Sequence, residues 1–366
     1  MEIYIITITL SLFLSFVGMH CKTRVLQKIC IGLIVVICSL MPGLRDISVG
    51  TDSLMYANFL VVDRSYHDWL VSGIAIEPGF VFLIKLYQFI GFTNYAYFFF
   101  GVAIIFNYLV ISTIFKLSPN PLISVLSLLT FSTIYFFHFN VIRASLALAV
   151  FLYSVPYILE RKYKKAYVII AISVLFHISG LIFLFIPLAY KYLRKKPLLV
   201  TFGSIAFMGV YSASSLILSF LGNLIGTTKY SSYSAESNIG GGFFAIYFIL
   251  ALLSIFSLIN RKIRENDLHL FCVYFICMSA LTWFCIIFLG LRYEGPGRVV
   301  VYFYIGSIFI FSTLLQMFTY TSRLVLSVLI LALCLVMAYY IFVIKGVYGV
   351  FPYTFNTIIT KTFEFL

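Results

Sequence analysis

Polar residues that could bind and process an anionic ligand follow one apolar run directly. The stretch R-x4-G-T-D-x3-Y brings together Arg45, Gly50, Thr51, Asp52 and Tyr56. Arginine offers a planar, permanently charged fork that suits phosphate oxygens, and glycine lets the backbone approach a ligand closely. Asp52 precedes a segment with helical spacing, which predicts a helix N-cap. The same carboxylate is a candidate general base, and the sequence leaves both roles open.

Arginines recur at the ends of other apolar runs. Inserting an arginine into a membrane costs about 2.5 to 3.5 kcal/mol at the centre of a helix. A single arginine at a helix end is explained as an interfacial anchor, but several on one side of the membrane need another explanation. We expect them to converge on an anionic ligand such as a lipid diphosphate. Asn140 lies three residues before Arg143. Glu294 has either a role at the ligand or, equally well, a role as the ion-pair partner of Arg292 or Arg298. The four arginines are Arg45, Arg143, Arg292 and Arg298.

One apolar segment does not fit a simple membrane span. Residues 166–190 carry basic clusters at both ends, and a single span would put these clusters on opposite sides of the membrane. We therefore predict two half-helices, broken at His177-Ile178-Ser179-Gly180; the alternative is one span with one cluster outside. His177 titrates near neutral pH in an ordinary environment and is a second candidate base, or else a structural histidine.

The composition defines the class of protein. The chain is 63% hydrophobic and only 10% charged, whereas a soluble domain carries about 25% charged residues. Apolar runs near the roughly 20 residues that span a bilayer recur throughout. The sequence predicts an all-α polytopic membrane protein with about 10–12 transmembrane helices, forming a single membrane domain over 1–366. The predicted helices are 3–20, 25–43, 95–115, 121–138, 144–159, 198–221, 243–260, 268–290, 299–319 and 324–344.

The charge distribution predicts the topology. Short basic clusters between the apolar runs account for the whole net charge of +13, which places them on the cytoplasmic side and argues against a nucleic-acid partner. The external side then holds residues 44–94, with an interfacial helix near 79–91, and a flexible loop at 222–242 that is either a lid or a linker. The polar residues on this side predict an outward-facing polar cavity, as in a GT-C-like fold.

The sequence contains no motif for metal binding or nucleotide binding. The five histidines are scattered, the seven cysteines lack metal-ligand spacing, and no Walker loop is present. We expect no metal and no cofactor. An activated donor must then carry its own leaving group, as a lipid-linked diphosphate does.

Together these motifs resemble the EpsG-like family, which includes Wzy-type O-antigen and capsular polysaccharide polymerases. The resemblance covers about residues 45–185, and the C-terminal half adds only R-x5-R. Its motifs are R-x4-G-T-D-x3-Y, EPGF (Glu77 to Phe80), N-x2-R-x3-A (Asn140, Arg143, Ala147) and LFHISGLI (Leu175 to Ile182).

The resemblance implies a reaction at the periplasmic face of the bacterial inner membrane. A chain on undecaprenyl diphosphate is transferred to a new undecaprenyl-diphosphate-linked repeat unit, and undecaprenyl diphosphate leaves. Arg143, Arg292 and Arg298 would hold the donor diphosphate, and Arg45 with Gly50 the acceptor. Asp52 and His177 are the candidate bases, and His177 is preferred because a helix cap is already a sufficient role for Asp52. The further residues assigned to substrate binding are Thr51, Tyr56, Glu77 and Asn140.

The expected partners are these lipid-linked oligosaccharides and membrane lipids. The resemblance is also compatible with a partner protein that regulates chain length. Two other functions would use similar residues. A ligase or another lipid-linked-sugar glycosyltransferase would need the same arginines. A lipid-linked-oligosaccharide transporter should show internal repeats, which the sequence lacks.

Overall fold

A computed structural model describes residues 2–71, 76–193, 242–288 and 299–356. Within these ranges every regular element is a helix, and the extended chain makes one isolated β-bridge, between Arg45 and Phe355. The α-helices are α1 Glu2–His20, α2 Arg24–Leu44, α3 Ser53–Val61, α4 Tyr66–Val71, α5 Pro78–Ile90, α6 Tyr95–Leu117, α7 Pro121–Leu129, α8 Ile134–Asn140, α9 Ile142–Leu159, α10 Tyr163–Phe176, α11 Phe185–Leu193, α12 Gly242–Ser257, α13 Arg261–Arg264, α14 Asp267–Phe288, α15 Val300–Phe303, α16 Ile305–Leu314 and α17 Tyr320–Ala338. The 3₁₀ segments are Ile178–Leu184, Leu315–Met317 and Val347–Gly349, and a π-helical segment is Tyr339–Ile344.

Seven helices in the described ranges are long and apolar enough to cross a membrane, or eight if one bent pair is counted as a span. The prediction of an all-α polytopic membrane protein is therefore confirmed. The predicted span 198–221 lies outside the described residues, as do residues 222–241 of the predicted external loop. The predicted span 243–260 corresponds to α12, which is shorter than a full span. In residues 44–94, which we predicted to be external, the structure has three short helices, α3 to α5. The first follows Asp52 and the last matches the predicted helix near 79–91, whereas α4 was not predicted.

The predicted single helix 121–138 is wrong. The structure has α7 and α8 in its place, bent by 40° across a short break. Thr133 takes a left-handed φ of 59° at the break, which is uncommon for a β-branched residue. Just before it, the Thr130 and Ser132 hydroxyls donate to the carbonyls of Leu126 and Leu128, a type of bond that competes with the helix ladder.

The described chain forms two compact units. The first comprises Met1–Leu184 and Phe311–Leu366; in it α2 packs against α1 and α6, and α9 packs against α6 and α10. Polar side chains link these helices inside the apolar core, as is usual in membranes. Asn107 of α6 donates to Ser39 Oγ of α2 at 3.1 Å, and Tyr135 of α8 donates to the Cys38 carbonyl at 2.7 Å.

The second unit is Phe185–Ile310. There α12 packs against α14, and the Ser257 hydroxyl lies 2.7 Å from His269 Nε2. The Trp283 indole donates to the Tyr304 hydroxyl at 2.8 Å, and Tyr304 stacks on Tyr247. These contacts form a buried aromatic core.

A segment near the C-terminus closes over the loop that precedes α3. We name residues 346–356 the C-terminal strap. Backbone bonds of 2.9 Å run from Gly50 N to Gly349 O, from Asp46 N to Thr354 O and from Asn356 N to Leu44 O. Tyr4 of α1 also donates to the Val350 carbonyl. The strap therefore fixes the backbone of the R-x4-G-T-D stretch.

The EPGF motif begins α5 and seats it on α10. Pro78 occupies the first helical turn, where its missing N–H is not needed, and Phe80 is fully buried. A Cβ on Gly79 would lie 2.7 Å from the backbone oxygen of Leu175, near the end of α10. Only glycine allows the two helices to approach this closely.

We expect Gly79→Ala to destabilise the protein by about 1–3 kcal/mol, the usual range for overpacking, because a backbone carbonyl cannot rotate away. The measurement is thermal unfolding of purified protein in detergent. Gly101→Ala is the matched control, since a Cβ there meets nothing within 4 Å and alanine is the better helix former. Equal stability of the two variants would contradict the tight contact.

Candidate functional site

An arginine and a glutamate form a largely buried ion pair at the start of α9. Arg143 Nη1 donates to Glu77 Oε2 at 2.7 Å, and the two side chains are 15% and 14% exposed. Glu77 holds the N-cap position of α5, so the pair joins α9 to the EPGF motif. Two carboxylate oxygens accept different donors, because Oε1 takes the backbone N–H of Ile178 at 3.1 Å.

Tyr56 of α3 is the third member of this group. Its side chain is only 2% exposed and is hydrogen-bonded to Arg143. Burial raises the pKa of the Tyr56 hydroxyl, so it remains protonated at neutral pH. The guanidinium of Arg143 is thus oriented from two sides, by a carboxylate and by a phenol. We call Arg143, Glu77, Tyr56 and His177 the Arg143 cluster.

His177 stands at a break in the helical segment, as predicted. α10 ends at Phe176, His177 is extended (φ −158°, ψ 131°), and the chain continues as a 3₁₀ helix from Ile178. His177 Nδ1 lies 3.9 Å from Glu77 Oε1, which brings the LFHISGLI motif to the EPGF motif. The side chain is 24% exposed.

The hydrogen bonds of His177 define its neutral tautomer. Nδ1 accepts the backbone N–H of Ser179 at 3.1 Å and lies 2.6 Å from the Ser179 hydroxyl. Because a backbone N–H only donates, Nδ1 acts as the acceptor and the ring proton of neutral His177 resides on Nε2. The sequence prediction gave Ser179 no role, although the spacing H-x-S places it within reach.

Arg45 is not placed for the direct ligand contact that we predicted. Its side chain is 1% exposed and donates to Ser53 Oγ at 3.1 Å, to the Pro42 carbonyl at 2.9 Å and to the Phe139 carbonyl at 2.8 Å. The guanidinium also lies 4.3 Å from the centre of the Phe99 ring. Burial lowers the pKa of Arg45 to about 10, so it stays charged at neutral pH. Arg45 instead positions the loop before α3.

We expect Arg45→Met to lower the amount of folded protein, because it leaves the carbonyls of Pro42 and Phe139 without their donor. An unsatisfied buried group costs about 1–3 kcal/mol. Fluorescence-detected size exclusion of a tagged protein measures the loss. The protein that folds should retain its specific activity. An unchanged folded yield with lost activity would instead return Arg45 to the ligand-binding group.

Gly50 and Asn140 also build the loop. Gly50 has a left-handed φ of 93°, and a Cβ there would lie 2.7 Å from Asn140 Oδ1, so two constraints require glycine. Its N–H donates to Gly349 O. Asn140 is buried, and its Nδ2 donates to the Tyr348 carbonyl at 2.7 Å. Both residues therefore contact the C-terminal strap, and their substrate contacts stay a prediction.

Asp52 occupies the predicted N-cap position of α3, but the capping bond is absent. Its carboxylate accepts from the Thr51 hydroxyl at 3.2 Å, while its carbonyl accepts the Tyr56 N–H. Asp52 is partly exposed and Thr51 exposed. Tyr56 of the Arg143 cluster lies one turn further along the chain, and the charge of the Asp52 carboxylate acts on its hydroxyl. The prediction that the Asp52 side chain caps α3 is therefore wrong.

Two of the predicted arginines, Arg292 and Arg298, lie outside the described residues. The sequence prediction also missed the C-terminal strap. Its left-handed residues Gly346, Tyr348 and Gly349 and its FPY sequence predict turns, but nothing in them points to a partner three hundred residues earlier. Across the described ranges, no three His, Cys, Asp or Glu side chains are grouped so that they could hold a metal ion.

The fold and the Arg143 cluster define a multi-pass, all-α membrane protein. Its charged site lies where α9 begins and where the helical segment after α10 is broken. A protein-family model for the EpsG family matches residues 28–355. The chain belongs to the EpsG family, which indicates a membrane protein of the polysaccharide polymerase type. Neither the curated proteins nor the solved structures contain a match to this chain.

Proposed function

We propose that this protein is a glycosyltransferase that joins undecaprenyl-diphosphate-linked oligosaccharide repeat units and releases undecaprenyl diphosphate. The observation that carries the proposal is the Arg143 cluster. It presents a fixed, largely buried guanidinium that is hydrogen-bonded to Tyr56, and the charge of the Asp52 carboxylate, which makes no capping bond, acts on the same tyrosine. A diphosphate leaving group and an acceptor hydroxyl need this combination of a cation and a base. Family membership supports the same class of reaction.

The orientation of α9 supports a periplasmic site in the bacterial inner membrane. Arg143 lies in its first turn, and the basic residues Arg161 and Lys162 follow its last turn. A helix of 18 residues is about 27 Å long, so these two features lie near opposite faces of a bilayer. Because basic loops stay in the cytoplasm, the Arg143 cluster faces outward.

The donor diphosphate would bind at Arg143, and we assign Arg292 and Arg298 to the same anion. Glu77 and Tyr56 keep the Arg143 guanidinium in place before substrate arrives. During transfer the bond between the donor sugar C1 and the diphosphate oxygen breaks, and its electron pair leaves with undecaprenyl diphosphate. Arg143 stabilises the charge that grows on that oxygen. The acceptor hydroxyl oxygen forms the new bond to C1.

Asp52 is the better candidate for the base that takes the acceptor hydroxyl proton. Neutral His177 carries its proton on Nε2, and its Nδ1 accepts from Ser179, so neither nitrogen offers an open lone pair in this arrangement. The Asp52 carboxylate accepts only from Thr51 among the described residues. We assign His177 to positioning, since it holds the break whose Ile178 N–H binds Glu77.

The test is a reaction with purified protein in liposomes. A synthetic undecaprenyl-diphosphate repeat unit is the only substrate, with chelator present and no nucleotide sugar. Products are separated on a gel. A ladder at repeat-unit intervals is the expected result. No ladder in this reaction, with transfer of one block once a different acceptor lipid is added, would show a ligase. Movement of intact substrate across the bilayer without new glycosidic bonds would show a transporter and overturn the proposal.

A further inference from the structure

A second polar site lies at the other end of the first unit. A cavity of about 150 Å³ opens between α6 and α9 near their C-terminal ends. Pro156 is thirteen residues after Arg143, so the cavity is about 20 Å along α9 from the Arg143 cluster. Six of the side chains that line the cavity are Tyr108, Ser112, Lys116, Tyr153, Pro156 and Tyr157.

The lining carries hydrogen-bond donors that suit an anionic oxygen. Three tyrosine side chains and Ser112 line the cavity together with Lys116, and the Ser112 hydroxyl donates to the Leu109 carbonyl at 3.3 Å. The Lys116 ammonium lies 4.7 Å from the centre of the Tyr157 ring, and cation–π attraction holds it there. Hydroxyls and an ammonium at the end of a membrane helix are typical of a site for a phosphate group.

The charge around the cavity is positive. Glu160 Oε1 lies 3.8 Å from Lys116 Nζ, but Glu160 Oε2 accepts from Lys162 at 2.7 Å. That hydrogen bond from Lys162 lowers the pKa of Glu160, which remains ionised. One carboxylate therefore faces two lysines, and Arg161 adds a further positive charge next to it.

An exposed stripe on α6 leads to this cavity. Tyr97, Gly101, Ile105 and Tyr108 are exposed and follow one another at spacings of three or four residues, which places them on one face of the helix. Ser112 and Lys116 continue the same spacing. The part of the stripe before Ser112 is apolar at Ile105 and at the tyrosine rings, so it suits a hydrocarbon chain. Lys116, at the C-terminal end of the stripe, suits a charged headgroup.

The geometry points to a binding site for an anionic glycerophospholipid, with its phosphate headgroup in the cavity and an acyl chain along the α6 stripe. The cavity is far larger than the roughly 10–15 Å³ that one water needs, yet smaller than the roughly 300–1,000 Å³ of pockets for drug-sized ligands. It therefore takes a headgroup rather than an oligosaccharide. The site is separate from the Arg143 cluster and does not depend on the polymerase proposal.

The experiment measures lipid binding to the purified full chain by native mass spectrometry. The probes are dioleoylphosphatidylglycerol, dioleoylphosphatidylcholine and glycerol 3-phosphate. We expect the anionic lipid to bind in preference to phosphatidylcholine, and glycerol 3-phosphate not to compete at equal concentration. Lys116→Gln should weaken phosphatidylglycerol binding about fivefold, the effect of one basic side chain near a lipid surface.

Two further pairs of variants separate the cavity from general charge attraction. Ser112→Trp fills the cavity without changing charge and should also weaken binding, whereas Leu329→Trp, at an exposed position of α17 outside the stripe and the cavity lining, should not. Lys165→Gln removes an equal charge from the same end of the protein, outside the cavity lining. Equal losses for Lys116→Gln and Lys165→Gln, with none for Ser112→Trp, would overturn the site. So would equal binding of phosphatidylcholine or full competition by glycerol 3-phosphate.

Discussion

Arg143→Ala should abolish polymer in the liposome reaction. Removing one donor that stabilises a growing charge costs about 10²–10³ in turnover, and Arg143 is the cation that Glu77 and Tyr56 hold in place. Arg143→Lys keeps the charge but loses the planar fork, so it should recover little activity. The measurement is the initial rate of ladder formation at equal amounts of folded protein.

Stability must be separated from chemistry in this variant. Arg143→Ala leaves the Glu77 carboxylate, 14% exposed, without its cation, and breaking a buried pair costs about 3–5 kcal/mol. The double variant Arg143→Ala/Glu77→Gln removes both charges and should restore the folded yield without restoring polymer. Arg64→Ala is the charge-matched control, since Arg64 lies between α3 and α4 and contacts the Trp69 ring. Normal chain lengths from the double variant would refute a role for Arg143 in the reaction.

Asp52→Asn should lower turnover by about 10²–10⁴, the usual contribution of a general base. Its thermal stability should stay unchanged, because Asp52 makes no capping bond whose loss would cost about 1 kcal/mol. Single-turnover kinetics with preloaded donor isolate the transfer step from substrate binding. The amide is nearly isosteric with the carboxylate, so the loop before α3 should keep its shape.

Asp46→Asn is the control, six residues earlier in the same loop. Asp46 accepts from the Ser48 backbone and hydroxyl, and an asparagine oxygen can do the same, so its activity should be normal. His177→Gln tests the alternative base. We expect it to reduce activity much less than Asp52→Asn does. Wild-type rates from Asp52→Asn together with an inactive His177→Gln would reverse the assignment.

The sequence predicts the architecture well because burial in a bilayer leaves strong marks. Long apolar runs give the spans, and basic clusters at both ends of 166–190 forced the prediction of a break, which the structure shows at His177. The break between α7 and α8 carries no such mark. The only local sign of this break is the group Thr130, Ser132 and Thr133, whose hydroxyls can bond to nearby backbone. The prediction of one helix over 121–138 rested on the apolar residues alone.

The candidate site was predicted in its residue types and less well in its roles. The motif residues do gather in the first unit, but spacing along the chain does not tell which of them face a ligand. Arg45 reaches a carbonyl 94 residues away, and Asn140 and Gly50 contact the C-terminal strap. Glu77 was expected to bind substrate, and it pairs with Arg143. Such long-range partners depend on packing, which no local pattern records.

The C-terminal strap also sets the order in which the protein can mature. Gly50 and its partner Gly349 are separated by roughly 300 residues, which a ribosome adds in about 15–60 seconds at about 5–20 residues per second. During that interval the nascent chain already contains Asp52 and Arg143 but lacks the segment that fixes the loop before α3. The loop before α3 is therefore completed last, so a chain interrupted before residue 346 carries Asp52 and Arg143 without the backbone contacts that fix this loop.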